Sequence, residues 1–214
     1  MILSNNYFYY DKVIPEKFCD DIVKTGKQFY ESKLGVTGDI GSKYPDIENN
    51  KKVVNKLVKV RHSTVRWLQE NWIYRALFPI INEANKLANW NFQWDYAEQA
   101  QFTEYGINQH YDWHCDAWAE PYGEDQKDKT LVGKVRKLSV TVSLSNPYEY
   151  EGGELEFDFR NTKPNKKTNF RSCTEIKEKG SLVVFPSFVW HRVKPVTKGI
   201  RHSLVIWVLG ESFK

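Results

Sequence analysis

Leu138-Ser139-Val140-Thr141-Val142-Ser143-Leu144 alternates apolar with small polar residues, the period of two that marks a half-buried β-strand. Downstream, Gly152-Gly153 breaks the chain before Glu154-Leu155-Glu156-Phe157, a second alternating run. The basic segment from Lys163 to Arg171 reads as a loop leading to Ser181-Leu182-Val183-Val184-Phe185. A last strand runs from Ile200 to Val208, and its period puts Arg201, Ser203, Val205 and Trp207 on one face. Upstream, strand composition begins at Trp90, with aromatic and β-branched residues in short runs.

Before Trp90 the period changes. Pro15-Glu16 marks a helix start, and Phe18, Ile22, Val23, Phe29 and Tyr30 recur at helical spacing up to Lys33-Leu34-Gly35. A second helix is expected from Trp72 to Leu87, with Trp72, Leu77, Ile80, Ile81, Ala84 and Leu87 as an apolar stripe interrupted by Pro79. Between them, Thr37 to Lys52 is polar, contains Gly38, Gly41, Pro45, Asn49 and Asn50, and has no apolar period. Loops of that length are lids or else disordered segments. Strands behind N-terminal helices predict an α+β chain. Its core is a double-stranded β-helix, or jelly roll, over about residues 90–209, with helical support over about 1–89. The 214 residues fit a single domain.

The 31 Lys and Arg are interspersed with 27 Asp and Glu for a net charge of +4, which gives little reason to expect a nucleic-acid partner. Cys19, Cys115 and Cys173 are odd in number and widely spaced, matching neither a disulfide framework nor zinc-ligand spacing. The start lacks a basic region followed by an apolar core, and no apolar run approaches the ~20 residues that span a bilayer. The expectation is a soluble, cytoplasmic protein with no membrane partner.

Chemistry concentrates at His114-Cys115-Asp116. On an extended strand His114 and Asp116 would share a face with Cys115 on the other. His191 could then complete the two-histidine, one-carboxylate face that binds Fe(II) and leaves positions open. Arg201 offers a guanidinium fork matched to a carboxylate. His110-Tyr111-Asp112 is a second His-x-Asp on the same expected face, so strand phase alone leaves two registers open. A zinc-protease reading of His110 and His114 fails, because no Glu follows the first histidine and the segment lacks a helical period.

Several elements occur together: Tyr105-Gly106, Tyr111, His114 and Asp116; Arg136-Lys137-Leu138-Ser139; Tyr150-Glu151-Gly152-Gly153-Glu154-Leu155; Trp190-His191-Arg192-Val193; and Gly199-Ile200-Arg201-His202-Ser203. From Trp90 to Trp207 the combination resembles the prolyl 4-hydroxylase-like branch of the 2-oxoglutarate and Fe(II) dioxygenases, particularly bacterial and phage members. The resemblance favours the second register. Tyr105 stands nine residues before His114 and Tyr111 three before it, where a His110 register would offer Gln101 and Ile107.

This likeness implies Fe(II) on His114, Asp116 and His191, and the distal carboxylate of 2-oxoglutarate on Arg201. Tyr105 would reach toward the co-substrate, and Ser203 would be a further donor. Ser143 stands where some relatives carry a second tyrosine. Trp207 matches an aromatic near the metal in the resembling hydroxylases, while Trp113 and Trp118, which flank the metal segment, and Tyr111 are read from their position as substrate-side residues, with Thr37–Lys52 as a flap over an extended peptide. The implied reaction consumes O2 and 2-oxoglutarate, releases succinate and CO2, and hydroxylates proline in a protein or peptide, with ascorbate as reductant. Asp116 fills the ligand position that halogenating relatives leave open.

A hydroxylase for a free amino acid would need an enclosed pocket with a charged group for the substrate's own ammonium or carboxylate, and the sequence leaves that reading open. A nucleic-acid dealkylase is disfavoured, since no second paired arginine follows Arg201 and no basic, aromatic-interleaved groove motif occurs. Three ligands together with Arg201 also argue against a non-enzymatic binding module.

Overall fold

The computed structural model describes residues 3–36, 50–118, 120–160, 162–165 and 170–213. Along the chain come β1 (Phe8–Tyr10), α1 (Glu16–Phe29), β2 (Lys33–Leu34), α2 (Lys51–Leu57), β3 (Arg61–His62), β4 (Thr64–Leu68) and α3 (Asn71–Leu87). Then follow β5 (Tyr96–Ala97), β6 (Ala100–Tyr105), β7 (His110–His114), β8 (Lys134–Ser143), β9 (Tyr150–Gly152), β10 (Leu155–Asp158) and β11 (Arg171–Ser172). The last strands are β12 (Leu182–Pro186), β13 (Trp190–Val193), β14 (Val196–Gly199) and β15 (Arg201–Glu211).

The larger sheet runs β1-β12-β8-β15-β6-β4-β2, with β5 also paired to β15, and the smaller runs β11-β10-β13-β7-β3. This is the expected jelly roll. The period of two sorts side chains between its layers. Leu138, Val140 and Val142 of β8 join Leu204, Ile206 and Val208 of β15 in a core packed against Ile22 of α1 and Ile73, Leu77 and Ile81 of α3. The alternate residues, including Thr141, Arg201, Ser203, Val205 and Trp207, turn toward a cavity between the sheets.

Several expectations are corrected. The 138–144 strand is buried on both faces rather than half-buried, because helices cover one side and the second sheet the other. The first 89 residues are more than helical support: β1 pairs with β12, β4 with β6, and β3 with β7, so N-terminal segments complete both sheets. In α3 the buried stripe is Ile73, Leu77, Ile81 and Ala84, at helical spacing but rotated from the expected one, and Leu87 is 58% exposed. Phe29 is 75% exposed at the end of α1, and Lys33-Leu34 continues as a strand beside β4. Of the expected lid, residues 37–49 lie outside the described residues. Lys51 and Lys52 start α2, where the Asn50 side chain accepts from Val53 N at 3.3 Å. Among the described residues no helix is long and apolar enough to cross a membrane.

Candidate active site

His114 ends β7 directly opposite His191 of β13, and the two rings lie 4.1 Å apart, centre to centre. Each ring is oriented from behind. Nδ1 of His114 lies 2.8 Å from Asp112 O and Nδ1 of His191 lies 2.9 Å from Val189 O. A carbonyl oxygen only accepts, so both Nδ1 atoms carry the proton and both Nε2 lone pairs are free.

Asp116 reaches the same point by a different route from the one expected. The strand stops at His114; the backbone N–H groups of Asp116 and Ala117 then both donate to Ser187 O, at 2.9 and 2.8 Å. This turn carries the carboxylate inward. Ser139 Oγ donates to its Oδ2 at 2.7 Å, and Arg136 Nη1 donates to its backbone O at 3.3 Å. The Asp116 oxygens lie 3.7 Å from His114 Nε2 and 3.5 Å from His191 Nε2, and the potential ligand atoms of all three residues fall within 4.8 Å of one another.

Burial opposes ionisation of Asp116, but His191, His114, Arg136 and the Ser139 hydroxyl outweigh it and hold the carboxyl down to about 2. Burial, reinforced by His191, drives His114 well below its ordinary value. At neutral pH the site thus presents a carboxylate beside a neutral imidazole, the protonation states a metal ion requires.

An irregularity in the β7–β13 ladder sets the two His-x-Asp registers apart in the structure. His191 pairs with His114 while Val193 pairs with Tyr111, so β7 carries one extra residue there. The bulge shifts the phase: Tyr111, three before His114, comes onto the cavity side and stacks on the His114 ring at 3.4 Å. His110 is held elsewhere, with ring nitrogens 3.3 Å from Asn108 O and Lys59 O.

Arg201 is 3% exposed at the start of β15, with its guanidinium carbon 5.7 Å from the Tyr105 ring and Nη1 donating to Ser203 Oγ at 3.4 Å. Tyr105, Ser203 and Trp207 also line the cavity. Ser143 does not. It is buried at the far end of β8, opposite Ser203, and Thr141 takes its place in the wall because it is one pleat nearer the metal residues.

Trp113 and Trp118 also lie away from the cavity lining. Trp113 lies under the Arg192 guanidinium at 4.7 Å, and Trp118 is 42% exposed beyond the bend at Asp116.

Sequence reasoning missed other residues. Arg136 is clamped by Glu98 at 2.7 and 2.6 Å and lies 4.0 Å from the Trp207 ring, so it fixes both that tryptophan and the backbone at Asp116. Ser139 could have been found, because it shares the polar face of the alternating strand with Thr141. Gln101 and Arg61 line the cavity with no local signal; Arg61 comes from a two-residue strand far upstream.

Comparison with known proteins gives concordant results. A relative from Pseudoalteromonas atlantica described as a PKHD-type hydroxylase is 32% identical over 152 residues, covering 71% of this chain and 54% of the relative. The chain spans between 37% and 54% of the first such relatives' length. A Pseudomonas putida prolyl-4-hydroxylase superposes with a TM-score of 0.60 at 16% identity, covering 98% of this chain and 95% of that one. A Trichoplax adhaerens prolyl hydroxylase, solved with a hypoxia inducible factor peptide fragment, gives a TM-score of 0.58 at 13% identity, covering 96% and 84%. At these identities the structural likeness concerns the fold. Residues 100–209 match the family model of the 2OG-Fe(II) oxygenase superfamily, which is more than half of the chain, and the protein belongs to that superfamily.

Proposed function

We propose that this chain is a 2-oxoglutarate- and Fe(II)-dependent hydroxylase acting on proline within a protein or peptide. The supporting observation is the convergence of His114, Asp116 and His191 within 4.8 Å, beside Arg201 in one cavity. Two imidazole nitrogens and a carboxylate, each braced by a hydrogen bond, suit ferrous iron with open positions. Bound there, Fe(II) with O2 and 2-oxoglutarate would supply the oxidising power for hydroxylation, with succinate and CO2 as co-products.

The chain's own residues provide placement. His114 and His191 would hold the ion through Nε2, and Asp116 would contribute the anionic ligand whose position a halogenase leaves open. Arg201, assisted by Ser203, would take the distal carboxylate of the co-substrate, and Leu155, Val193 and Val205 supply apolar wall to the cavity. Tyr111 and Trp207 offer ring faces on which a pyrrolidine could pack. The peptide-bound Trichoplax neighbour supports a peptide substrate in kind.

The test is mass spectrometry of proline-containing peptides after incubation with Fe(II), 2-oxoglutarate and O2. One added oxygen per succinate formed on proline is the expected result. Oxidation of free amino acids alone would replace the peptide reading with the small-molecule one.

A further inference from the structure

Arg61 is a second buried guanidinium on the wall of the same cavity, 5% exposed. It sits on β3 directly opposite Tyr111 of β7, with its guanidinium carbon 4.5 Å from the Tyr111 ring centre. His114 covers one face of that ring at 3.4 Å, so the guanidinium takes the other. Two of its nitrogens are tied down: Nε donates to Ser63 Oγ at 3.0 Å and Nη1 to Val36 O at 2.9 Å. Gly35 gives the side chain its path, since a Cβ there would stand 2.7 Å from Nε. The third nitrogen, Nη2, is buried and has no partner among the described residues.

Charge makes this arrangement informative. With Fe(II) and 2-oxoglutarate in place, the ion, Asp116, the two co-substrate carboxylates and Arg201 cancel, and Arg136 is neutralised by Glu98. Arg61 is left over. An unpaired guanidinium with an unmet donor, held away from water, is a costly state that an anionic ligand relieves. The Trp207 Nε1 donor is also buried in this cavity wall without a partner among the described residues. Both unmet groups ask for acceptors.

We infer that Arg61 receives a carboxylate carried by the substrate, so that the site selects substrates with an acid group close to the oxidised carbon. This rests on the iron and 2-oxoglutarate reading of the cavity. The acid could be the free carboxylate of a small molecule or the side chain of a residue neighbouring proline in a peptide.

The test uses calorimetry without oxygen on protein loaded with Fe(II) and 2-oxoglutarate. One probe pair is L-proline and L-prolinamide; the other is acetyl-Ala-Pro-Glu-amide and its Gln counterpart. In one pair the acid should bind roughly tenfold to a hundredfold more tightly than its neutral partner, and that pair names the source. Arg61→Gln should abolish the preference and leave 2-oxoglutarate affinity unchanged. Arg61→Lys keeps the charge without the planar fork and should fall between, a graded loss that stays readable if Arg61→Gln does not fold. Absence of a preference in both pairs, its persistence in Arg61→Gln, or weakened 2-oxoglutarate binding in that variant overturns the inference. Since binding is read before turnover, a carboxylate preference without hydroxylation would sink the proposed reaction and leave the subsite standing.

Discussion

The backbone of Gly153 lies against the side chain of Arg201: a Cβ built on Gly153 would stand 2.9 Å from Arg201 Cδ and 3.0 Å from Val196 Cγ2. Its φ of +67° is also one that side-chain-bearing residues rarely adopt. The glycine that breaks the chain between β9 and β10 therefore makes room for the proposed co-substrate anchor. Gly153→Ala should displace Arg201, raising the dissociation constant for 2-oxoglutarate at least several-fold and costing about 1 to 2 kcal/mol of stability from the left-handed backbone alone. Calorimetric titration and thermal denaturation would read the two effects separately, and an unchanged 2-oxoglutarate affinity would contradict the first.

Arg201→Leu removes the guanidinium while keeping much of the packing. Loss of a charge-assisted bond of ~1.5 to 3 kcal/mol predicts a roughly tenfold to hundredfold weaker 2-oxoglutarate affinity, with Fe(II) affinity little altered. Equal losses for both ligands would argue against a specific carboxylate contact.

Metal binding should follow the geometry of the triad. In anaerobic Fe(II) titrations, His114→Ala and His191→Ala should each lose high-affinity binding, and His110→Ala should retain it. Ser139→Ala removes the 2.7 Å bond that orients Asp116 and should weaken iron by roughly tenfold to a hundredfold. Retention of iron by His114→Ala with loss in His110→Ala would refute the ligand assignment.

Glu104 supplies a pH dependence remote from the metal. Its hydrogen bond with His202 is the chief cause that lowers its carboxyl to about 2; burial opposes this, and Lys27 and Arg66 assist. A depressed folded-state value stabilises the fold above the ordinary carboxylate range and is lost as pH falls toward 2. Glu104→Gln should cost ~1 to 2 kcal/mol at pH 7 and flatten the decline in stability between about pH 5 and pH 2. Denaturation midpoints across that range would show it, and parallel curves for both proteins would exclude this pair.

Much of the molecule was legible along the chain because strand alternation is a local property. The period of two in 138–144 and 200–208 already separated the face packed on the helices from the face that carries Arg201, Ser203 and Trp207. His114, Asp116 and His191 stood out by residue type and spacing. The faces of α1 and α3 were less secure, since several apolar stripes fit each helix and only the partner sheet selects one.

What the sequence by itself determined was the principal strands after Trp90, the alternation along them and the His, Asp and Arg residues that stand out for iron and carboxylate chemistry. Tertiary structure decided how those residues meet. Asp116 arrives through two backbone hydrogen bonds to Ser187, an acceptor distant in sequence, rather than through strand phase. The extra residue in β7, visible only against β13, puts Tyr111 beside His114 and leaves His110 outside. Arg61 joins the cavity only because β3 pairs with β7. Local periodicity specifies the direction of a side chain on its own strand, whereas proximity across strands depends on pairing and register, which the whole fold sets at once.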